Sequence, residues 1–148
     1  FLSIAELISS RSKCLSKKRG VLLVRDKIIL STGYNGPPSG ISHCGKVTNL
    51  CPRKEMGLSS GEGLEFCPAS HAEANAIILA AREGVSVKNA TMYCNFQQIP
   101  CRECAKLIIN AGIKHIILND LPVAYESMGI TGEQLLNEAK ILVEGDYS

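Results

Sequence analysis

Tryptophan is absent from these 148 residues, and the aromatic complement stops at three Phe and four Tyr. A protein that takes a base out of a nucleic-acid strand needs stacking platforms and phosphate contacts, and this composition supplies few of either. Charge is also short. Sixteen basic residues against fourteen acidic ones leave a net +2, far from the strong basic patch of a polynucleotide binder. The densest basic run, Lys17-Lys18-Arg19, reads as a solvated turn before a strand. No apolar stretch reaches the roughly 18 residues of a membrane-spanning helix, and no export signal is visible. Neither a polynucleotide nor a membrane is expected as a partner, and the expected location is cytoplasmic.

What remains is a globular composition, 45% hydrophobic and 20% charged, in a length that suits one domain over residues 1–148. Seven cysteines, an odd number without an export signal, point to metal or catalysis rather than to disulfides. Apolar positions at Ile4, Ala5, Leu7 and Ile8 predict a helix over 2–11. The runs 21–24 and 28–31 predict strands of a hairpin turning at Arg25-Asp26-Lys27. A Gly- and Pro-rich loop is expected over 32–40. Residues 41–69 show no periodicity and hold three cysteines, so that stretch needs a staple or a function. Beyond it come a helix over 72–82, apolar almost all round and closed by Gly84, and a strand over 91–96. A helix over 101–111 follows, closed by Gly112, with a strand over 113–118 after it. A helix over 131–139 and a marginal strand over 141–143 complete the chain. Alternation after an opening hairpin predicts an α/β fold with a mixed sheet.

His71-Ala72-Glu73 and Pro100-Cys101-Arg102-Glu103-Cys104 carry the chemistry. One histidine and a CxxC pair offer three ligands of the kind zinc takes, with a fourth tetrahedral position open as in a catalytic site. Cys101 and Cys104 lie on one helix face, at a helix start that favours thiolates. Glu73 is placed to move protons, and HxE followed by PCxxC is the signature of zinc nucleobase deaminases. Other readings stand beside this one. Ser70-x-x-Glu73 also fits a capping box, Cys101 and Cys104 a redox pair, and His71 an ordinary helix-terminal histidine. Asn35, before Gly36, fits either a ligand contact or a turn with positive φ.

Thr32-Gly33-Tyr34-Asn35-Gly36, His71-Ala72-Glu73-Ala74-Asn75-Ala76, Pro100-Cys101 through Cys104-Ala105-Lys106 and Ala111-Gly112-Ile113-Lys114 together resemble the deoxycytidylate deaminase family, over about residues 4–118. The resemblance implies a three-layer α/β/α sandwich with a mixed sheet of about five strands. It implies zinc-dependent conversion of dCMP to dUMP with release of ammonia, with His71, Cys101 and Cys104 on the catalytic zinc and Glu73 as the catalytic acid and base. It places Asn35 on the substrate sugar and the backbone of Ala72 near the pyrimidine carbonyl. A homo-oligomer regulated by dCTP and dTTP is implied as well, with Arg82 either a regulatory residue or an exposed helix arginine. Where the family carries a tyrosine after the strand ending at Leu118, this chain has Asp120-Leu121-Pro122, and Tyr125 is the nearest substitute.

Family members often hold a second zinc in the segments occupied here by Cys14, Cys44, Cys51 and Cys67, with His43 as an alternative ligand. Four thiolates would close a structural site; four unrelated reduced thiols are the other reading. Cys94 is expected to pack as a small core residue. The alternatives to dCMP deamination are another cytosine or purine substrate, free or in RNA, and a non-catalytic zinc module.

Overall fold

A computed structural model describes residues 1–59, 61–124 and 128–146. The opening hairpin pairs β1 (Gly20–Arg25) with β2 (Ile28–Tyr34), Arg25 opposite Ile28. Only Asp26 and Lys27 lie between the strands, at φ 53° and 64°. Two successive left-handed residues match the right-handed twist of a tight hairpin. β2 runs on through Thr32, Gly33 and Tyr34, so the loop expected from residue 32 begins three residues later, because β1 continues to Gly20 and gives those residues partners.

The sheet is mixed and five-stranded, in the order β2-β1-β3-β4-β5, with β3 at Thr91–Cys94, β4 at His115–Asn119 and β5 at Leu142–Asp146. β1 is antiparallel to both neighbours, and the β3–β4 and β4–β5 pairs are parallel. Alternate residues of β1 face opposite layers. Leu22 and Val24 pack with Ala5 of helix α1 (Leu2–Ser9). Val21 and Leu23 join the main core with Ala76 and Ile77 of α4 (Ala72–Arg82) and Ala105 and Ile108 of α5 (Arg102–Asn110). Leu136 of α6 (Gly132–Glu138) completes that core. The three-layer arrangement expected from the sequence is the one observed. No helix among the described residues is long and apolar enough to cross a membrane.

The irregular segment after β2 contains two single-turn helices, α2 (Gly45–Thr48) and α3 (Pro52–Glu55), and a 3-10 turn at Leu64–Phe66. β3 stops at Cys94 rather than residue 96. There Asn95 takes over the pairing, with its Oδ1 accepting from the Gly20 N–H at 2.7 Å and its own N–H donating to the Gly20 carbonyl. α4 buries one face and leaves Ile78 57% exposed, so it is not apolar against the core on every side.

Gly84 and Gly112, at φ 69° and 75°, end α4 and α5 through the same paired bonds. Val85 and Gly84 donate to the Ala80 and Ala81 carbonyls, and Ile113 and Gly112 to those of Ile108 and Ile109. This left-handed termination satisfies the last carbonyls and turns the chain back towards the sheet. At the start of α6, Thr131 and Gln134 form a reciprocal capping box.

The position of α4 is set by a seam of small residues. A Cβ on Gly33 of β2 would collide with the Ala72 carbonyl and the Ala76 amide, both backbone. Ala72 and Ala76 have no exposed side-chain surface. Gly33→Ala should therefore push α4 off the sheet and destabilise the fold by about 1–3 kcal/mol. Gly36→Ala, whose Cβ would meet only the Tyr34 ring at 3.7 Å, should be nearly silent. Melting temperatures and metal content of the two variants, measured together, check this.

Candidate metal centre

His71 is the N-cap of α4 and Cys101 the N-cap of α5. The approach to α4 is fixed by a two-way backbone bridge between Gly36 and Ser70, and by Asn75 Nδ2, which donates to the Tyr34 carbonyl at 2.8 Å. β3 leads into the 95–100 segment and α5. The two helix starts thus converge from the ends of β2 and β3, the strands on either side of β1.

His71 Nδ1 lies 3.4 Å from Cys101 Sγ and 3.5 Å from Cys104 Sγ, and the three donor atoms all fall within 4.8 Å of one another. A tetrahedral zinc, with Zn–N near 2.0–2.1 Å and Zn–S near 2.3 Å, separates N and S ligands by about 3.6 Å. The donor set and its spacing fit the ion. Among the described residues this is the one His/Cys/Asp/Glu group so close.

The protons on these groups follow from their contacts. The Cys101 thiol is lowered to about 4, first by the hydrogen bond with Cys104, despite the opposing effect of burial, and then by His71. Cys104 is pushed the other way by its bond to Cys101 and by burial. His71 is raised, chiefly by its hydrogen bond with Cys101. Without an ion, protons hold the cluster together, and a divalent cation would displace them.

Glu73 is buried, 3% exposed, and its Oε2 has no hydrogen-bond partner among the described residues. Burial raises its pKa above the ordinary 4.5, against the lowering influence of His71. It does not cap the helix. His71 rather than Ser70 is the N-cap, and its side chain makes no capping bond, which removes the capping-box reading. A buried carboxylate whose outer oxygen has no structural partner is suited to exchanging protons with a ligand.

The other predicted positions separate. Ala72 is fully buried at the first turn of α4. Asn35 is buried, and its φ is not positive, so the turn reading fails. Its Oδ1 accepts from the Arg19 N–H at 2.8 Å and its Nδ2 donates to the Lys17 carbonyl at 2.9 Å. Tyr125 lies outside the described residues. Arg82 is exposed at the end of α4 and pairs with Glu83 at 2.9 Å. Cys94 is fully buried in the core and its thiol is held well above its ordinary pKa by burial. Cys14, Cys44, Cys51 and Cys67 form no disulfide. The Cys44 thiol is raised by burial first, then by the charges of Cys51, Cys67 and Cys14, so the four gather in one region without closing to ligand spacing.

Arg19 was not expected here. It is half-buried rather than solvated, with its guanidinium carbon 4.4 Å from the Phe96 ring centre and its Nη2 donating to Gln98 Oε1 at 2.8 Å. Nothing in the sequence marks it, since both partners lie nearly 80 residues away.

Comparison with known proteins follows the same lines. Residues 1–119 match the family described as "Cytidine and deoxycytidylate deaminase zinc-binding region". The chain is 38% identical over 117 residues to a deoxycytidylate deaminase of Schizosaccharomyces pombe, covering 79% of this chain and 35% of that protein. It is 37% identical over 122 residues to that of Mycobacterium phage D29, covering 79% and 89%. It thus spans about a third of the length of the yeast relative and most of the phage one. The crystal structure of dCMP deaminase from the cyanophage S-TIM5 in complex with dCMP and dUMP superposes with a TM-score of 0.73 at 28% identity, over 98% of this chain and 93% of that one.

A buried carboxyl with a raised pKa binds more protons folded than unfolded, so its contribution to stability is lost as pH rises from 4.5 through the raised value. In metal-free protein, Glu73→Gln should match wild type below pH 4.5 and become the more stable of the two above it. Thermal melts across pH test this. Parallel curves for the two proteins would show that burying the Glu73 charge costs nothing.

Proposed function

The chain belongs to the cytidine and deoxycytidylate deaminase family, and from that membership we propose that it deaminates dCMP to dUMP, consuming one water and releasing one ammonia. The observation that carries the reading is Glu73, buried with an unpartnered oxygen beside a three-donor zinc site. His71, Cys101 and Cys104 would hold the ion. Zinc in a three-ligand site supplies a water acidic enough to act as nucleophile near neutral pH.

The chain's own groups do the rest. Glu73 takes a proton from the attacking water on its carboxylate and delivers it to the ring nitrogen N3 as oxygen bonds to C4. It then carries a second proton to the exocyclic amine, the C4–N bond breaks, and ammonia leaves with C4 now a carbonyl carbon. One carboxylate serves both steps by alternating between base and acid, and burial raises its affinity for the proton it carries. The first-turn backbone at Ala72 points its N–H groups out of the helix start and is suited to the pyrimidine carbonyl. Asn35 uses Oδ1 and one Nδ2 hydrogen on the 17–19 backbone, which leaves, among the described residues, the other amide hydrogen for a sugar hydroxyl.

A second, structural zinc at Cys14, Cys44, Cys51 and Cys67 is part of the same proposal. It is supported by the grouping of the four thiols around Cys44 and by the Ser16 N–H, which donates to Cys14 Sγ at 3.4 Å. His43, whose Nδ1 is buried without a partner among the described residues, stands one residue from Cys44 as a substitute ligand.

Glu73→Gln should retain zinc and melt near the wild-type temperature while ammonia release from dCMP falls by about 10²- to 10⁴-fold. Near-normal turnover would remove Glu73 from the chemistry. Metal analysis should return two zinc ions per chain. Cys51→Ala should lower stability, through the coupling of metal binding to folding, more than it lowers the activity of protein that remains folded. One zinc per chain would dismiss the second site alone.

A further inference from the structure

Asn35 bonds through both of its backbone groups and its side-chain amide to one stretch of chain, residues 12–19, none of which belongs to a helix or a strand before Gly20. At the far end of the stretch, the Asn35 N–H donates to the Arg19 carbonyl at 3.2 Å, Oδ1 accepts from the Arg19 N–H, and Nδ2 donates to the Lys17 carbonyl. The near end is held by Ser12, whose hydroxyl donates to the Asn35 carbonyl at 2.7 Å.

Ser12 is itself well anchored. It is 1% exposed, and its N–H donates to the Ser9 carbonyl at the end of α1 at 2.9 Å. Its hydroxyl oxygen also accepts from the Cys14 N–H at 3.2 Å. That leaves the hydroxyl's one hydrogen for Asn35, so its donor and its acceptor capacity are both used. Helix α1 is seated on β1 at backbone contact, since a Cβ on Gly20 would strike the Ala5 carbonyl and the Ser9 amide. The residues on either side of Asn35 are held from the α4 side, by Asn75 on the Tyr34 carbonyl and by Ser70 on Gly36. Ser12 ties the peptide between them to the opposite layer.

Two bonds to the 17–19 backbone set the plane of the Asn35 amide, and that plane sets where the remaining Nδ2 hydrogen points. A stretch without regular structure keeps residues 17–19 in place only when both of its ends are tied. In dCMP the amide meets one free sugar hydroxyl, at C3′, because C2′ bears none and the 5′ oxygen bears the phosphate. We propose that Ser12 is a positioning residue for sugar recognition: by clamping residues 12–19 against the Asn35 carbonyl, it aims the remaining Asn35 amide hydrogen at the 3′-hydroxyl of a pyrimidine deoxynucleotide. The proposal rests on the deaminase reading for the ligand and on the bonds of Ser12 for the aim. Ser12 acts through Asn35 and not on the ligand.

Zinc-loaded full-length protein, wild type and Ser12→Ala, should be titrated calorimetrically with dUMP and with its 2′,3′-dideoxy analogue, which lacks the 3′-hydroxyl. Ser12→Ala should weaken dUMP by about 5- to 30-fold and leave the analogue nearly unchanged, a coupling between residue and hydroxyl. In ammonia-release assays, KM for dCMP should rise by a similar factor while kcat changes little. Ser12→Cys, which nearly keeps the volume but offers only a weak donor and acceptor, should shift in the same direction, and it serves as the test if the alanine variant does not fold. A merely structural hydroxyl would weaken both ligands alike, which overturns the proposal. Unchanged dUMP binding in both variants overturns it, as does equal wild-type affinity for dUMP and the analogue. Turnover of dCMP without the difference between ligands removes the role of Ser12 alone. If that difference appears and dCMP is not turned over, the deaminase reading fails and the role of Ser12 stands.

Discussion

Two helix starts must meet at one point. The N-cap of α4 brings a nitrogen and the first turn of α5 brings two sulfurs, all within 4.8 Å. A rigid-body error of one ångström in either helix would spoil that spacing. The surrounding structure can be understood as what holds the two helices to that tolerance. Gly33 and the alanines of α4 let helix and sheet come to backbone contact, so α4 has no side-chain cushion through which to drift. β1 and β3 are locked in register from Val21 opposite Cys94 to Val24 opposite Thr91. Each helix leaves through a left-handed cap with both bonds formed.

The same closeness has an electrostatic side. Glu73 is buried with an oxygen that has no partner among the described residues, an arrangement that a fold optimised for stability alone would avoid. It persists because the packing of Ala72, Ala76 and the sheet over-determines the position of the first turn. Local strain or desolvation of this kind is tolerated where surrounding contacts fix the geometry, and it raises the proton affinity of the carboxyl.

Local patterns in the sequence carried most of this. HxE and PCxxC are short, and each sits at a helix start, so the metal centre was legible from spacing alone. The sheet followed from hydrophobic alternation and Gly punctuation. What sequence could not show is pairing across distance. β2 continues to Tyr34 because β1 begins at Gly20 to receive it, and β3 ends at Cys94 because Asn95 turns its side chain onto Gly20. Arg19 looked like one more surface cation because Phe96 and Gln98, which define its surroundings, lie in a different part of the chain. The outer cysteines were found by counting, but their distances depend on the segment between residues 41 and 69, which has no periodicity to read.

The chain after residue 119, beyond the reach of the family match, is not an appendage. A Cβ on Gly132, at the start of α6, would strike the Pro100 carbonyl and the Cys101 backbone, so this helix is seated directly behind a member of the candidate metal group. Leu136 and Ile141 fill the core beneath it, and β5 closes the sheet edge beside β4. The boundary of the shared motif and the boundary of the folding unit are thus different lines. A chimera joined at residue 119 would inherit the recognition sequence while losing the wall that keeps it in shape.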